Sequence, residues 1–181
     1  MAGRGLTRAM LSITTQDRNL ARAMEPRAST PEKRFSAIKT LSDAGIPTGV
    51  MTGPLIPGLN DSEMEAILER AHALGAFSSG YTILRLPLEV APLFQEWLSV
   101  FAPDRKSRIM RHIREINGGK DYDPHWSRGG EIKTPFAKII DQRYRRIKRK
   151  LGSQDARDRK PLNTKLFRVP SKVSGQGDLF D

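Results

Sequence analysis

A chain of 181 residues with 38% hydrophobic side chains and 15 glycines can bury a sizeable core, which excludes disorder throughout. It contains no cysteine, so this polypeptide alone can build neither a disulfide framework nor a thiolate metal site. No run approaches the roughly 18 apolar residues of a membrane span, and the basic first ten residues lack a signal peptide's apolar stretch, so the expected location is cytoplasmic. The net charge of +11 is uneven. Residues 1–104 hold 10 Lys/Arg against 11 Asp/Glu, residues 105–172 hold 21 against 7, and the last nine residues hold two Asp and no base. A local excess of that size suits a surface that meets polyphosphate; the competing reading is a solvated face that keeps the protein soluble.

In chain order, residues 11–15 (LSITT) predict a strand, and residues 16–28 a polar loop that admits a helical turn. A helix follows from Pro31, with Thr30 as cap, Phe35, Ile38 and Leu41 on one face, and Gly45 in the left-handed position beyond its end. Residues 46–51 predict the next strand and residues 52–59 a Gly/Pro-rich loop. Asn60 and Glu63 stand in capping-box register before a helix with Met64, Ile67, Leu68 and Ala71 inward, ending at Gly75. A third strand is expected at 81–86, then a helix from about Pro92 carrying Leu93, Phe94, Trp97, Leu98 and Phe101. Asp104 can cap a further helix with Ile109, Ile113 and Ile116 inward. Thr134 and Pro135 open the last one, in which Phe136, Ile139, Ile140, Tyr144, Ile147 and Leu151 form an apolar stripe opposite Lys138, Arg145, Arg146, Lys148, Arg149 and Lys150. Residues 153–181 read as a mostly disordered tail.

Strand and helix alternating three times is the pattern of βαβ units and a parallel sheet, hence the α/β class. Three parallel strands cover themselves poorly, so residues 1–103 read as part of a barrel or doubly wound sheet, with a small complete three-stranded layer as the alternative. Residues 104–152 read as a basic helical extension.

Ligands of parallel α/β folds bind beyond the carboxyl ends of the strands. The residues there are Ser12, Thr14 and Thr15, whose hydroxyls suit a ribose or a carboxylate; the loop with Thr52, Pro54, Ile56 and Pro57, where backbone can approach a flat ligand; and Arg85. Each is also compatible with an ordinary strand end, and Glu25-Pro26-Arg27 with a surface ion pair. His72, His112 and His125 lack metal-ligand spacing, and no Walker loop, GxGxxG or nucleophile elbow occurs.

The ordered strings Ser12-Ile13-Thr14-Thr15, Met24-Glu25-Pro26-Arg27 with Thr30-Pro31 and Arg34, Gly45-Ile46-Pro47 into Gly49-Val50-Met51, Pro54-Leu55-Ile56-Pro57-Gly58-Leu59-Asn60-Asp61, and Leu84-Arg85-Leu86-Pro87 resemble the second half of a radical SAM protein. The similarity is to the DNA-repair-photolyase-like group related to spore photoproduct lyase. Gly118-Gly119-Lys120-Asp121-Tyr122-Asp123 and the Phe136 helix resemble that group's C-terminal extension. The resemblance implies the C-terminal half of a parallel (β/α) barrel that binds S-adenosylmethionine at its strand ends, beside a [4Fe–4S] cluster that cleaves it to a 5′-deoxyadenosyl radical. It also implies Ser12 or Thr14 at the ribose or methionyl part, Thr52, Pro54, Ile56 and Pro57 on the adenine side, and Arg27 at the methionyl carboxylate. The family's CxxxCxxC motif has no counterpart here. The chain therefore reads as a C-terminal fragment, catalytically inactive without the missing N-terminal half of the barrel.

Two partner expectations complete the reading. Arg145, Arg146, Lys148 and Arg149 are candidate phosphate contacts to nucleic acid. In the tail, Gln176-Gly177-Asp178-Leu179-Phe180 resembles the bacterial sliding-clamp-binding motif, with Gln176, Asp178, Leu179 and Phe180 as its contact residues. The alternative to an enzyme part is thus a non-catalytic module that binds DNA or the clamp.

Overall fold

The computed structural model describes residues 2–122, 134–155 and 161–166. Strands β1 (Ala9–Ile13), β2 (Thr48–Leu55), β3 (Ser78–Ile83) and β4 (Gln154–Asp155) form one sheet in the order β1-β2-β3-β4, all parallel. The helices are α1 (Arg18–Met24), α2 (Pro31–Asp43), α3 (Met64–Ala73), α4 (Val90–Phe101), α5 (Pro103–Ile116) and α6 (Pro135–Leu151). Ala9 pairs with Thr48 and Ile13 with Thr52. Gly49 pairs with Ser78, and the β2–β3 register shifts between Thr52 and Leu55.

The local signals act largely as expected. Thr30 accepts a hydrogen bond from the Lys33 amide and Thr134 from the Ala137 amide, so both helices start on a satisfied cap followed by proline. Gly45 takes a left-handed φ of 70° just beyond α2. Alternation along the strands then sends Ile13 and Val50 to one face, where Phe35 and Ile38 of α2, Met64, Ile67, Leu68 and Ala71 of α3, and Ile140, Tyr144 and Ile147 of α6 close over them. Each fully buried large side chain in this core contributes about 1.5–3 kcal/mol. A second cluster joins Ile56 and Leu86 to Leu98 of α4 and Ile109, Met110 and Ile113 of α5.

Several expectations need correction. The strands occupy 9–13, 48–55 and 78–83, each displaced by two to four residues at both ends. The segment after β1 is a seven-residue helix, because the Asp17 carboxylate accepts from the amides of Asn19 and Leu20. Asn60 and Glu63 make no capping box: a 3-10 turn, Asp61–Glu63, precedes α3, and both side chains are engaged elsewhere. Asp104 does not cap α5, which starts at Pro103 with no side-chain cap. Ile139 is 52% exposed and lies outside the α6 stripe, and Leu93 of α4 is 59% exposed. Finally, two short segments within the expected tail take regular structure. Gln154 and Asp155 add a strand beside Ser78 and Ser79, and Thr164–Leu166 form a 3-10 turn.

That last strand has a physical cause in β3 and α6. The Tyr144 hydroxyl donates to the Ser79 carbonyl at 2.9 Å, and the Ser153 hydroxyl donates to the Ser79 hydroxyl at 3.1 Å. The Tyr81 and Tyr144 rings meet at 4.7 Å. These contacts seat α6 on the sheet and deliver Ser153 to the β3 edge, where the Gln154 amide finds the Phe77 carbonyl.

Candidate functional site

All four strands run the same way, so their carboxyl ends open on one side of the sheet. Asn60 organises that side. It is fully buried; its Oδ1 accepts from the Ile56 amide at 2.6 Å, and its Nδ2 donates to the carbonyls of Thr14 at 2.8 Å and Pro54 at 3.1 Å. One side chain thus ties the end of β1 to the loop after β2. Beside it the Thr15 hydroxyl and the Gln16 amide both donate to the Glu63 carboxylate at 2.6 Å. The Thr14 hydroxyl donates to the Gly53 carbonyl at 3.2 Å, and the Gly53–Pro54 peptide is cis.

The candidate residues fall into distinct environments. Ser12 is exposed on the sheet face opposite the helix-packed core, and Thr82 of β3 shares that face and exposure. Met51 and Pro54 are half-buried. Thr14, Thr52, Ile56 and Pro57 are buried, and the Thr52 hydroxyl has no hydrogen-bond partner among the described residues. Arg27 is exposed in the loop between α1 and α2, whereas Glu25 from the same loop pairs with Arg34 at 2.9 Å. Arg34 also donates to the carbonyls of Ser12 and Ser29. The acid expected beside Arg27 is therefore bound across the loop to α2. Arg85 follows β3, and its guanidinium donates to the Tyr122 hydroxyl at 3.0 Å.

On α6, Arg145, Arg146 and Arg149 are exposed and Lys148 is half-buried. Arg145 pairs with Asp141 one turn away. The inner edge of the helix is acidic-facing: Arg143 donates twice to Glu65 of α3, at 2.7 and 2.6 Å, and once to the Asp61 carbonyl at 3.0 Å. Partial burial pushes the Glu65 carboxyl up, but the Arg143 hydrogen bonds, a backbone bond and nearby charge outweigh it and hold its pKa below the usual value. The same hydrogen bonding raises Arg143, against the opposing effect of burial. Lys150 reaches Glu69, so the stripe divides into bases that dock on α3 and bases turned outward. Gln176, Asp178, Leu179 and Phe180, like His125, lie outside the described residues.

Asn60, Glu63 and Arg143 escape sequence reasoning as site organisers, because a cap residue and a basic residue in a basic helix have the same one-dimensional signature whichever way they turn. Among the described residues no group of three or more His, Cys, Asp or Glu could hold a metal ion, and no helix is long and apolar enough to cross a membrane.

Residues 1–71 match the Radical SAM superfamily. The matched segment runs from the N-terminal turn through most of α3, so it contains β1, β2 and the Asn60 junction between their ends. An uncharacterized protein of Methanocaldococcus jannaschii is 28% identical over 140 residues, covering 77% of this chain and 44% of that protein. An uncharacterized protein of Mycobacterium tuberculosis is 31% identical over 108 residues, covering 58% of this chain and 31% of that protein. The chain thus spans less than half the length of these curated relatives. No solved structure matches it.

Proposed function

We propose that this chain is part of a radical SAM protein of the DNA-repair-photolyase-like group and supplies the strand-end half of its S-adenosylmethionine site. The observation that carries the reading is the coincidence of the family match at residues 1–71 with a parallel sheet whose strand ends are locked together by Asn60. The face beside that junction suits an adenosine group: exposed hydroxyls at Ser12 and Thr82 can meet sugar oxygens, and half-buried Met51 and Pro54 offer apolar surface to a flat ring. Arg27 is free to approach a carboxylate from the α1–α2 loop. In this superfamily, S-adenosylmethionine bound beside a reduced [4Fe–4S] cluster supplies a 5′-deoxyadenosyl radical.

The cluster itself does not fit the residues of this chain. With no cysteine, it offers no thiolate, and no described group of His, Asp and Glu substitutes for one. On this reading the iron ligands come from polypeptide outside this chain, the N-terminal half of the barrel, and the chain alone performs no radical chemistry. The outward bases Arg145, Arg146 and Arg149 of α6, with Lys148 beside them, suit phosphate contacts that position nucleic acid without reading its sequence. That exposed basic face also favours the second reading, a non-catalytic DNA-binding module that Gln176, Asp178, Leu179 and Phe180 tether to a sliding clamp.

Four measurements separate the readings. Calorimetry with S-adenosylmethionine should show binding that Ser12→Ala with Thr82→Ala weakens, and anaerobic mixing with a cluster-bearing N-terminal half should yield 5′-deoxyadenosine. Salt-dependent DNA binding with neither signal favours the module. A peptide of residues 171–181 that fails to bind the clamp at tens of micromolar removes the tether.

A further inference from the structure

A cleft of about 260 Å³ opens between α1 and the segment that leads into α2. Arg18, Asn19 and Arg22 of α1 line one wall, and Ser29 and Thr30 lie opposite. Arg18 and Arg22 stand four residues apart on one helix face, where two cations repel each other unless an anion lies between them. The nearby acids are all committed elsewhere. Asp17 caps α1, Glu25 is held by Arg34 at 2.9 Å, and Glu32 is bound by two hydrogen bonds to Arg70. Among the described residues neither Arg18 nor Arg22 has a hydrogen-bond or ion-pair partner.

We infer that this cleft binds a phosphate group, with Arg18 and Arg22 as its two guanidinium contacts. Two planar guanidiniums on one wall present several N–H donors to one tetrahedral anion, and that geometry suits the oxygens of phosphate. The Ser29 hydroxyl and the Asn19 amide supply neutral contacts from both sides. The cleft has room for a sugar as well as the phosphate. It also shares Ala21, Glu25, Ser29 and Pro31 with a narrower cavity that reaches Thr14 and Thr15 at the end of β1. That cavity is only about 10 Å³, so the sugar of a bound ester stays in the cleft itself. The substrate class is a phosphate ester, and only its assignment to nucleic acid rests on the function proposed above.

The experiment uses the full chain at about 0.15 M salt, where long-range attraction is screened within about 8 Å. Inorganic pyrophosphate and a short oligodeoxythymidylate are each titrated by calorimetry against the parent chain, Arg18→Gln with Arg22→Gln, and a charge-matched Arg105→Gln with Arg108→Gln pair on α5. Circular dichroism and melting temperature confirm that each variant is folded. Loss of the two guanidiniums should weaken pyrophosphate about tenfold or more, and the α5 pair should leave it unchanged. A parallel loss for the oligonucleotide assigns the phosphate to nucleic acid; a loss confined to pyrophosphate assigns it to a small phosphorylated ligand. No binding by the parent chain, or equal loss in both double variants, overturns the inference. Failure of S-adenosylmethionine to bind, with pyrophosphate binding intact, counts against the proposed function and not against this cleft.

Discussion

Replacing Asn60 tests the junction on which the strand-end site depends. The side chain is fully buried and satisfies three backbone groups: the Ile56 amide and the carbonyls of Thr14 and Pro54. Asn60→Ala strands all three. Each buried group left without a partner costs about 1–3 kcal/mol, so with partial relaxation the expected loss is about 3–6 kcal/mol. That is a large share of a typical total of about 5–15 kcal/mol. Urea unfolding followed by far-UV circular dichroism reads the loss, and with a slope of about 1–3 kcal/mol per molar the midpoint should fall by roughly 2 M. Asn60→Asp keeps the shape and the acceptor toward Ile56 but loses the amide donor, and its second oxygen faces two carbonyl oxygens. Burial and those oxygens disfavour the carboxylate, which places the folded pKa of the introduced acid above its unfolded value of about 3.9. The unfolded chain then loses its proton first, so the penalty grows as pH rises above about 4 and levels off beyond the folded pKa. An alanine variant that loses less than 1 kcal/mol, or an aspartate variant whose loss is independent of pH, would refute the keystone role.

Glu65→Gln should destabilise the chain by about 1 kcal/mol at neutral pH, a figure reduced from the full value of charged hydrogen bonds because the pair is partly open to solvent. The Glu65 pKa is depressed in the folded state, so its contribution is complete above the unfolded value of about 4.3 and disappears as pH falls through the folded one; melting temperatures of parent and variant should converge in acid. Gly49→Ala should cost about 1–3 kcal/mol in chemical denaturation, because an added Cβ would collide with the Ser78 hydroxyl and lie 2.8 Å from Met10 Cε and 3.0 Å from the Ser78 carbonyl. Replacing Arg145, Arg146 and Arg149 with Glu should weaken DNA or RNA binding alike for all sequences and flatten its salt dependence; unchanged affinity in gel shifts at two salt concentrations would return this face to a solvated role.

The parallel α/β layer was legible in the chain because its signals are local. Thr30-Pro31, Gly45 and Thr134-Pro135 set helix ends through caps and φ preferences that no distant residue alters, and the periodicity of Phe35, Ile38, Ile140, Tyr144 and Ile147 marks faces that must be covered. The absence of cysteine was equally readable. What each polar side chain does with its hydrogen bonds was not legible, because that depends on which backbone groups long-range packing leaves unpaired. Asn60 looks like a helix cap in one dimension, yet the ends of β1 and β2, brought together by the sheet, offer it three partners and a buried place. Likewise Glu25 stands two residues before Arg27 in sequence but pairs with Arg34 once α2 packs on β1, so the one acid lining the cleft is engaged away from Arg18 and Arg22. Tertiary structure alone also turned residues 154–155 from tail into strand, since the edge of β3 offers the Gln154 amide the Phe77 carbonyl while the Ser79 hydroxyl holds the preceding Ser153.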